Sequence, residues 1–209
     1  MSPAGELYLI AAPSGAGKTS LMRGLLARQS RLALSVSDTT RPPRSGEIDG
    51  EQYHFVSVEK FEAGIAAGDY LEYADVFGNY YGTRRSRVEA LWRAGRDVLL
   101  EIDVQGARQV AQQYPELCSI FILPPSMDVL AQRLSQRGSD APEVVRRRLS
   151  EARREIEAAS EFGWTVVNDQ FEQALNELEA IVMAWPLRQS RQHKHQRALL
   201  EEADGQGTM

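Results

Sequence analysis

Apolar and polar positions change rhythm repeatedly along this chain. Four short runs are almost continuously apolar: Leu7 to Ala11, Val98 to Ile102, Ser119 to Leu123 and Thr165 to Val167. Strands that lack polar alternation are buried on both faces, as in a parallel sheet covered by helices. Helical spacing fills residues 18–29, 84–94, 104–114, 126–136, 142–162 and 170–185 between and after them. The alternation predicts an α/β core with helices on both faces of a parallel sheet. Two segments break the rhythm. Residues 35–84 are rich in Ser, Thr, Tyr and Gly, with short alternating stretches such as Tyr53-His54-Phe55-Val56, and predict a small, mostly β insertion with one helix near 58–67. Residues 126–160 are helical and arginine-rich, with a break at Gly138-Ser139-Asp140-Ala141-Pro142, and predict a helical flap. Core segments are therefore expected at 1–34, 85–125 and 161–202. Within the last of these, the stretch 187–201 is polar and helical, and 203–209 reads as a disordered tail.

Composition narrows the function. The 209 residues suffice for one sizeable core with insertions. A formal net charge of −5 disfavours sequence-independent nucleic-acid binding, which needs basic surface. Cys118 is the only cysteine, so an intrachain disulfide framework is excluded; its apolar surroundings mark it as a buried structural thiol. No basic-then-apolar leader is seen and the apolar runs are too short to span a bilayer, so a soluble cytoplasmic protein is expected, with neither a membrane nor a nucleic-acid partner. His54, His193 and His195 lack the spacing of catalytic or metal-binding residues.

The first apolar run leads into Ala12, Pro13, Ser14, Gly15, Ala16, Gly17, Lys18, Thr19 and Ser20, and then into a helical pattern with Leu21, Met22, Leu25 and Leu26. A buried strand, a glycine-containing loop and a helix N-terminus form a phosphate cradle, because loop N–H groups and the helix dipole both favour anions. Lys18 would reach the β/γ-phosphates and the Thr19 hydroxyl would ligate Mg²⁺. The pattern asks for glycine where this chain has Ala12; Gly15 and Gly17 supply the tight backbone where phosphates approach. Glu101 ends an apolar strand, where Mg²⁺ and its waters are organised in such folds.

In Ser37-Asp38-Thr39-Thr40-Arg41-Pro42-Pro43-Arg44 a Pro-Pro pair stiffens the loop between two guanidinium forks, an arrangement suited to a monophosphate or to a solvated surface. This stretch, the phosphate loop, Gly46-Glu47-Ile48-Asp49-Gly50, Gly78-Asn79-Tyr80-Tyr81-Gly82-Thr83, Ile102-Asp103-Val104-Gln105-Gly106 and Val167-Asn168-Asp169 follow one another as in the guanylate kinases, which the chain resembles over almost its whole length. The resemblance implies a five-stranded parallel sheet, a β insertion that binds the nucleoside monophosphate, a helical lid, and transfer of the ATP γ-phosphate to GMP with Mg²⁺. It implies that Glu72 faces guanine N1 and N2 with Asp103 also near N2, that Ser37 and Thr83 supply hydroxyls, and that Arg41, Arg44, Tyr53 and Tyr81 hold the GMP phosphate. Tyr73 and Tyr80 read as packing. By the same resemblance Arg133, Arg137 and Arg148 act on the transferring phosphoryl group, with Arg137 also near the donor nucleotide, and Asn168 lies beside the ATP base or ribose. The other lid arginines are expected to pair with Glu143, Glu151, Glu155 and Glu157 on a solvated surface. A homo-oligomer stays open. A different acceptor is disfavoured by the Glu72, Ser37 and Thr83 set; a peptide-binding module by the intact Gly17-Lys18-Thr19 and the arginine-rich lid; a GTPase switch by the absence of an Asn-Lys-x-Asp-type motif.

Overall fold

The computed structural model describes residues 5–76, 78–135, 142–189, 192–193, 196–197 and 199–201, with the backbone alone at 142–145. Its elements run β1 (Leu7–Ala11), α1 (Lys18–Arg28), β2 (Leu32–Leu34), β3 (Asp38–Thr39), β4 (His54–Phe55), α2 (Val58–Ala66), β5 (Tyr70–Val76), β6 (Asn79–Arg84) and α3 (Arg85–Arg93). They continue with β7 (Asp97–Glu101), α4 (Val104–Gln113), β8 (Cys118–Leu123), α5 (Met127–Ser135), α6 (Pro142–Glu157), β9 (Trp164–Val167) and α7 (Phe171–Ala184).

Five strands form an all-parallel sheet in the order β2-β7-β1-β8-β9. Apolar residues on both sides of each central strand explain why two cores form. Tyr8, Ile10, Leu99, Ile120 and Ile122 meet Leu21, Met22 and Leu25 of α1 and Leu175, Leu178 and Ile181 of α7. Alternate residues Leu7, Leu9, Val98 and Leu100 meet Val88 and Trp92 of α3 and Ala107 and Val110 of α4. β1 lies between β7 and β8, so the chain crosses over it between those strands, and the loops at the carboxyl ends of these strands converge there. The seven helices expected before residue 187 and the four apolar strands are present with ends shifted by up to five residues, the last turn of the 142–162 pattern becoming a 3-10 turn at Ala158–Glu161; the stretch 187–201 lies partly outside the described residues. The fifth strand, β2, carries no pattern of its own: three residues are too few to show one, and pairing with β7 makes it a strand.

The insertion is a four-stranded sheet ordered β4-β3-β6-β5. Its β5 end joins the core, because Leu71 packs into the cluster beneath α3 and α4. A fully buried carboxylate, Asp38, ties the rest together. Its Oδ2 accepts from Arg84 Nε at 2.7 Å and from the Tyr70 hydroxyl at 2.8 Å, and its Oδ1 accepts from Arg87 of α3. Burial alone would raise the Asp38 pKa; hydrogen bonds from Arg87, Tyr70 and Arg84 outweigh it and hold the carboxyl below its ordinary value. Phe61 of α2 stacks between Tyr70 and Tyr80, which confirms Tyr80 as a packing residue. Tyr73 is 39% exposed on β5, and its backbone N–H and carbonyl are both bonded by Gln109.

Removing one partner of a buried ion cluster leaves the others uncompensated, so Asp38→Ala is expected to lower unfolding free energy by about 3 kcal/mol, read from urea denaturation at neutral pH. The folded-state pKa is depressed, so the contribution of Asp38 is present at neutral pH and fades as pH falls through that value. Wild type and variant should therefore converge in stability in acid; a constant gap down to low pH would rule the assignment out.

Candidate active site

The phosphate loop connects β1 to α1, and two of its residues need a conformation that side chains oppose. Gly15 and Gly17 have φ of 91° and 93°. Space is equally tight: a Cβ at Gly17 would come within 2.3 Å of Asn168 Nδ2, and one at Gly15 within 3.0 Å of Leu130 and Leu134. Asn168, at the end of β9, donates to the Ala16 carbonyl at 2.6 Å. Arg133 of α5 also donates to the Ala16 carbonyl, at 3.4 Å, and to the Asn168 carbonyl at 3.1 Å. Loop, lid helix and the β9 end thus form one bonded unit. Ala12 packs against the core, and Pro13 is buried beneath the loop, while Ser14 and Ser20 are exposed.

Lys18 donates to the Ile102 carbonyl at 3.2 Å and lies 4.0 Å from Glu101. The Thr19 hydroxyl donates to Glu101 Oε1 at 2.8 Å, which places a hydroxyl and a carboxylate together at the carboxyl end of β7. Among the described residues no group of three or more His, Cys, Asp or Glu side chains could hold a metal ion. A hydroxyl beside one carboxylate fits a hard cation that takes most of its ligands from phosphates and water, which is how Mg²⁺ binds.

In the small sheet, β3, β5 and β6 bring together residues far apart in sequence. Glu72 and Thr83 are register partners, and Ser37 Oγ lies 3.4 Å from Thr83 Oγ1. All three are buried. Among the described residues Glu72 Oε1 has no hydrogen-bond partner. Burial pushes the Glu72 pKa up to about 7; Thr83 partly offsets this, while neighbouring Asp103 adds to it. Asp103 also caps α4, accepting from the Gly106 N–H at 2.8 Å. Arg41 fits between two rings and an acid. Its guanidinium lies 5.5 Å from the Tyr53 ring centre and donates twice to Glu47, at 2.8 and 3.0 Å. Tyr53 and Tyr81 meet edge to face at 5.6 Å, and Tyr81 hydrogen-bonds Arg41. Burial raises the Tyr53 pKa to about 12, and the charge of Glu101 adds to the shift. Arg44 is exposed and joins through its backbone N–H, which donates to Glu47 at 2.6 Å.

In the lid, Leu130 and Leu134 of α5 pack on Ala152 and Leu149 of α6. Arg146 and Arg147 are exposed and Arg148 is half-buried, as expected for residues about 100° apart on a helix. Arg147 lies 3.8 Å from Glu151. Arg137 lies outside the described residues. One expectation is corrected: Glu155 is not a surface partner of the lid arginines. It follows Ala152 by three residues on the inner face of α6, where burial raises its pKa to about 6 and its neighbours are Lys18 and the Ser14 N–H. Sequence reasoning also missed Asp38, Arg84, Arg87 and Glu47. Opposite strand faces for Ser37 and Asp38, and the three-residue spacing of Arg84 and Arg87, are consistent with this cluster but equally with an ordinary surface. Cys118 is buried and its pKa is raised to about 12 by burial, so it takes no part.

Comparison with known proteins agrees with this geometry. The family model described as guanylate kinase matches residues 4–185. The chain is 54% identical over 188 residues to a guanylate kinase of Alkalilimnicola ehrlichii, covering 90% of this chain and 93% of that one. It is 58% identical over 188 residues to a guanylate kinase of Neisseria gonorrhoeae, covering 90% and 92%. The crystal structure of guanylate kinase from Anaplasma phagocytophilum superposes with a TM-score of 0.73 at 32% identity, covering 90% of this chain and 89% of that one. Among the described residues no helix is long and apolar enough to cross a membrane.

The raised pKa of Glu72 means that its charged form costs the free protein stability. That cost is absent where the carboxyl is protonated in both folded and unfolded chains, and complete above about pH 7. Glu72→Gln is therefore expected to raise the melting temperature at pH 8 and much less at pH 5. Equal shifts at both pH values would show that the carboxylate is not the strained group.

Proposed function

The chain belongs to the guanylate kinase family, and from this premise we infer that it transfers the γ-phosphate of ATP to GMP, giving ADP and GDP. The observation that carries the acceptor assignment is the buried Glu72 carboxylate with an unpartnered oxygen, beside the Ser37 and Thr83 hydroxyls. Guanine presents N1–H and N2–H₂ donors next to an O6 acceptor. Glu72 and Asp103 receive the donors, and Ser37 and Thr83 donate to O6. Adenine would present an acceptor to Glu72 and leave buried groups unpaired, a loss of about 1–3 kcal/mol per group.

Arg41, Arg44, Tyr53 and Tyr81 hold the GMP phosphate, and the Arg41 fork exchanges Glu47 for it. The loop from Ala12 to Ser20 holds the ATP phosphates on its N–H groups and on Lys18, and Asn168 borders the ATP base or ribose. Mg²⁺ would be held by Thr19 directly and by Glu101 through water, and when bound it neutralises charge on the ATP phosphates. The attacking oxygen belongs to a phosphate ionised at neutral pH, so no general base is required. The chain's contribution is alignment of the two phosphates and cationic stabilisation by Lys18, Arg41, Arg133 and Arg148. Arg137 joins them by resemblance.

In an assay coupling ADP release to ATP and Mg²⁺, GMP is expected to be turned over and AMP, CMP and UMP not. Lys18→Ala should abolish turnover at unchanged melting temperature. Glu72→Ala should raise the KM for GMP about tenfold to a hundredfold and leave that for ATP in place. Comparable turnover of AMP by the wild type would overturn the acceptor assignment.

A further inference from the structure

Glu72 lies on β5, an edge strand of the small sheet, and one face of the core helix α4 meets it. Three residues of that face, Gly106, Gln109 and Gln113, recur at the three- and four-residue spacings that align side chains along a helix. Each engages β5 in a different way. A Cβ on Gly106 would come within 2.3 Å of Glu72 Oε2 and 3.0 Å of its Cδ. The Gln109 side-chain amide imitates a neighbouring strand: its Nε2 donates to the Tyr73 carbonyl at 2.7 Å and its Oε1 accepts from the Tyr73 N–H at 3.2 Å. Gln113 Nε2 donates to the Leu71 carbonyl at 2.8 Å. The residues before and after Glu72 are therefore fastened to α4.

Gly106 has no conformational need to be glycine. It sits in the first turn of α4 without a positive φ, where alanine would favour the helix. Its bare Cα is explained by what lies over it. The Glu72 carboxylate occupies the volume a methyl group would take, and the Gly106 N–H fixes Asp103, the second acid of the pocket. Glu72 is buried, with Thr83 as its register partner and Asp103 Oδ1 beside the same Gly106 position, which leaves it little room to swing aside.

We propose that Gly106 and Gln109 are positioning residues for acceptor specificity: α4 sets the depth at which the Glu72 carboxylate stands in the guanine pocket. Neither residue touches GMP. A methyl group at 106 pushes the carboxylate toward the base, and loss of the Gln109 amide frees the β5 edge; both misplace one acceptor by a fraction of a hydrogen-bond length. The proposal rests on Glu72 being the guanine-reading group.

The test is steady-state kinetics on the full chain with both substrates varied, for Gly106→Ala, Glu72→Ala and the double variant. Gly106→Ala is expected to raise the KM for GMP at least about tenfold while the KM for ATP and kcat at saturating GMP change less than about threefold, as for loss of one buried pairing. In the Glu72→Ala background the same change should alter kcat/KM for GMP less than about twofold, because nothing is left for the methyl group to displace. An equal loss in both backgrounds, a parallel rise in the KM for ATP, or an unchanged KM for GMP would overturn the proposal and leave the acceptor assignment standing. Glu72→Ala without effect on GMP would overturn the acceptor assignment, and this proposal with it. If Gly106→Ala does not fold, Gln109→Ala, on the half-buried side of α4, carries the same cycle with the same expected outcomes.

Discussion

A carboxylate held away from water with one oxygen unpartnered is the constraint around which the acceptor half of this protein is arranged. Charged groups are removed from water at large cost unless a partner is supplied, and the free protein supplies Glu72 only a partial one. On the proposed function, the donor edge of GMP supplies the missing partner. On the same reading that cost becomes discrimination, because a base that presents an acceptor to Glu72 leaves the penalty in place. The resulting conflict between stability and function is local and concerns a single side chain.

Such a group needs rigid surroundings, and these come from both domains. Below the pocket, Asp38 gathers Arg84, Arg87 and Tyr70, joining three strands of the small sheet region to helix α3 of the core. Beside it, α4 presents a space at Gly106 and two glutamine amides that complete the unpaired edge of β5. An open strand edge is an invitation to pair with another chain, and here side chains close part of it. The insertion is thus anchored at its β5 end.

The donor half follows a different logic. Its phosphate loop is backbone, and what fixes it is close packing: Asn168 against Gly17, Leu130 and Leu134 against Gly15, and Arg133 on two carbonyl oxygens. These contacts come from α5 and from the end of β9, so the conformation of the loop and the position of α5 share residues. Glu155 reinforces that link. It brings an anion from the lid helix toward Lys18 and the Ser14 N–H, groups that would otherwise await phosphate oxygens.

Much of this was legible in the chain. Continuous apolar runs located β1, β7 and β8 because a strand buried on both faces has few polar positions; the run at β9 is apolar too, but as an edge strand it buries only Val166, so double-sided burial is not met there. Gly15, Gly17, Lys18 and Thr19 located the cradle because backbone geometry and phosphate chemistry restrict those positions to few residue types. The ordered series of motifs gave the family. The sequence did not reveal β2, whose three residues become a strand only against β7, or the Asp38 cluster, in which Asp38 meets partners 32 to 49 residues further along the chain. It suggested a solvated Glu155, because charge spacing along a helix does not tell which face turns inward. Gly106 carried no signal either, since a glycine in the first turn of a helix has no local reason to be there. Local pattern and backbone chemistry are properties of neighbouring residues, so the sequence by itself determined the elements, the cradle and the class of reaction. Burial, pairing and the spaces left for other side chains depend on residues distant along the chain, and only the tertiary structure decided those.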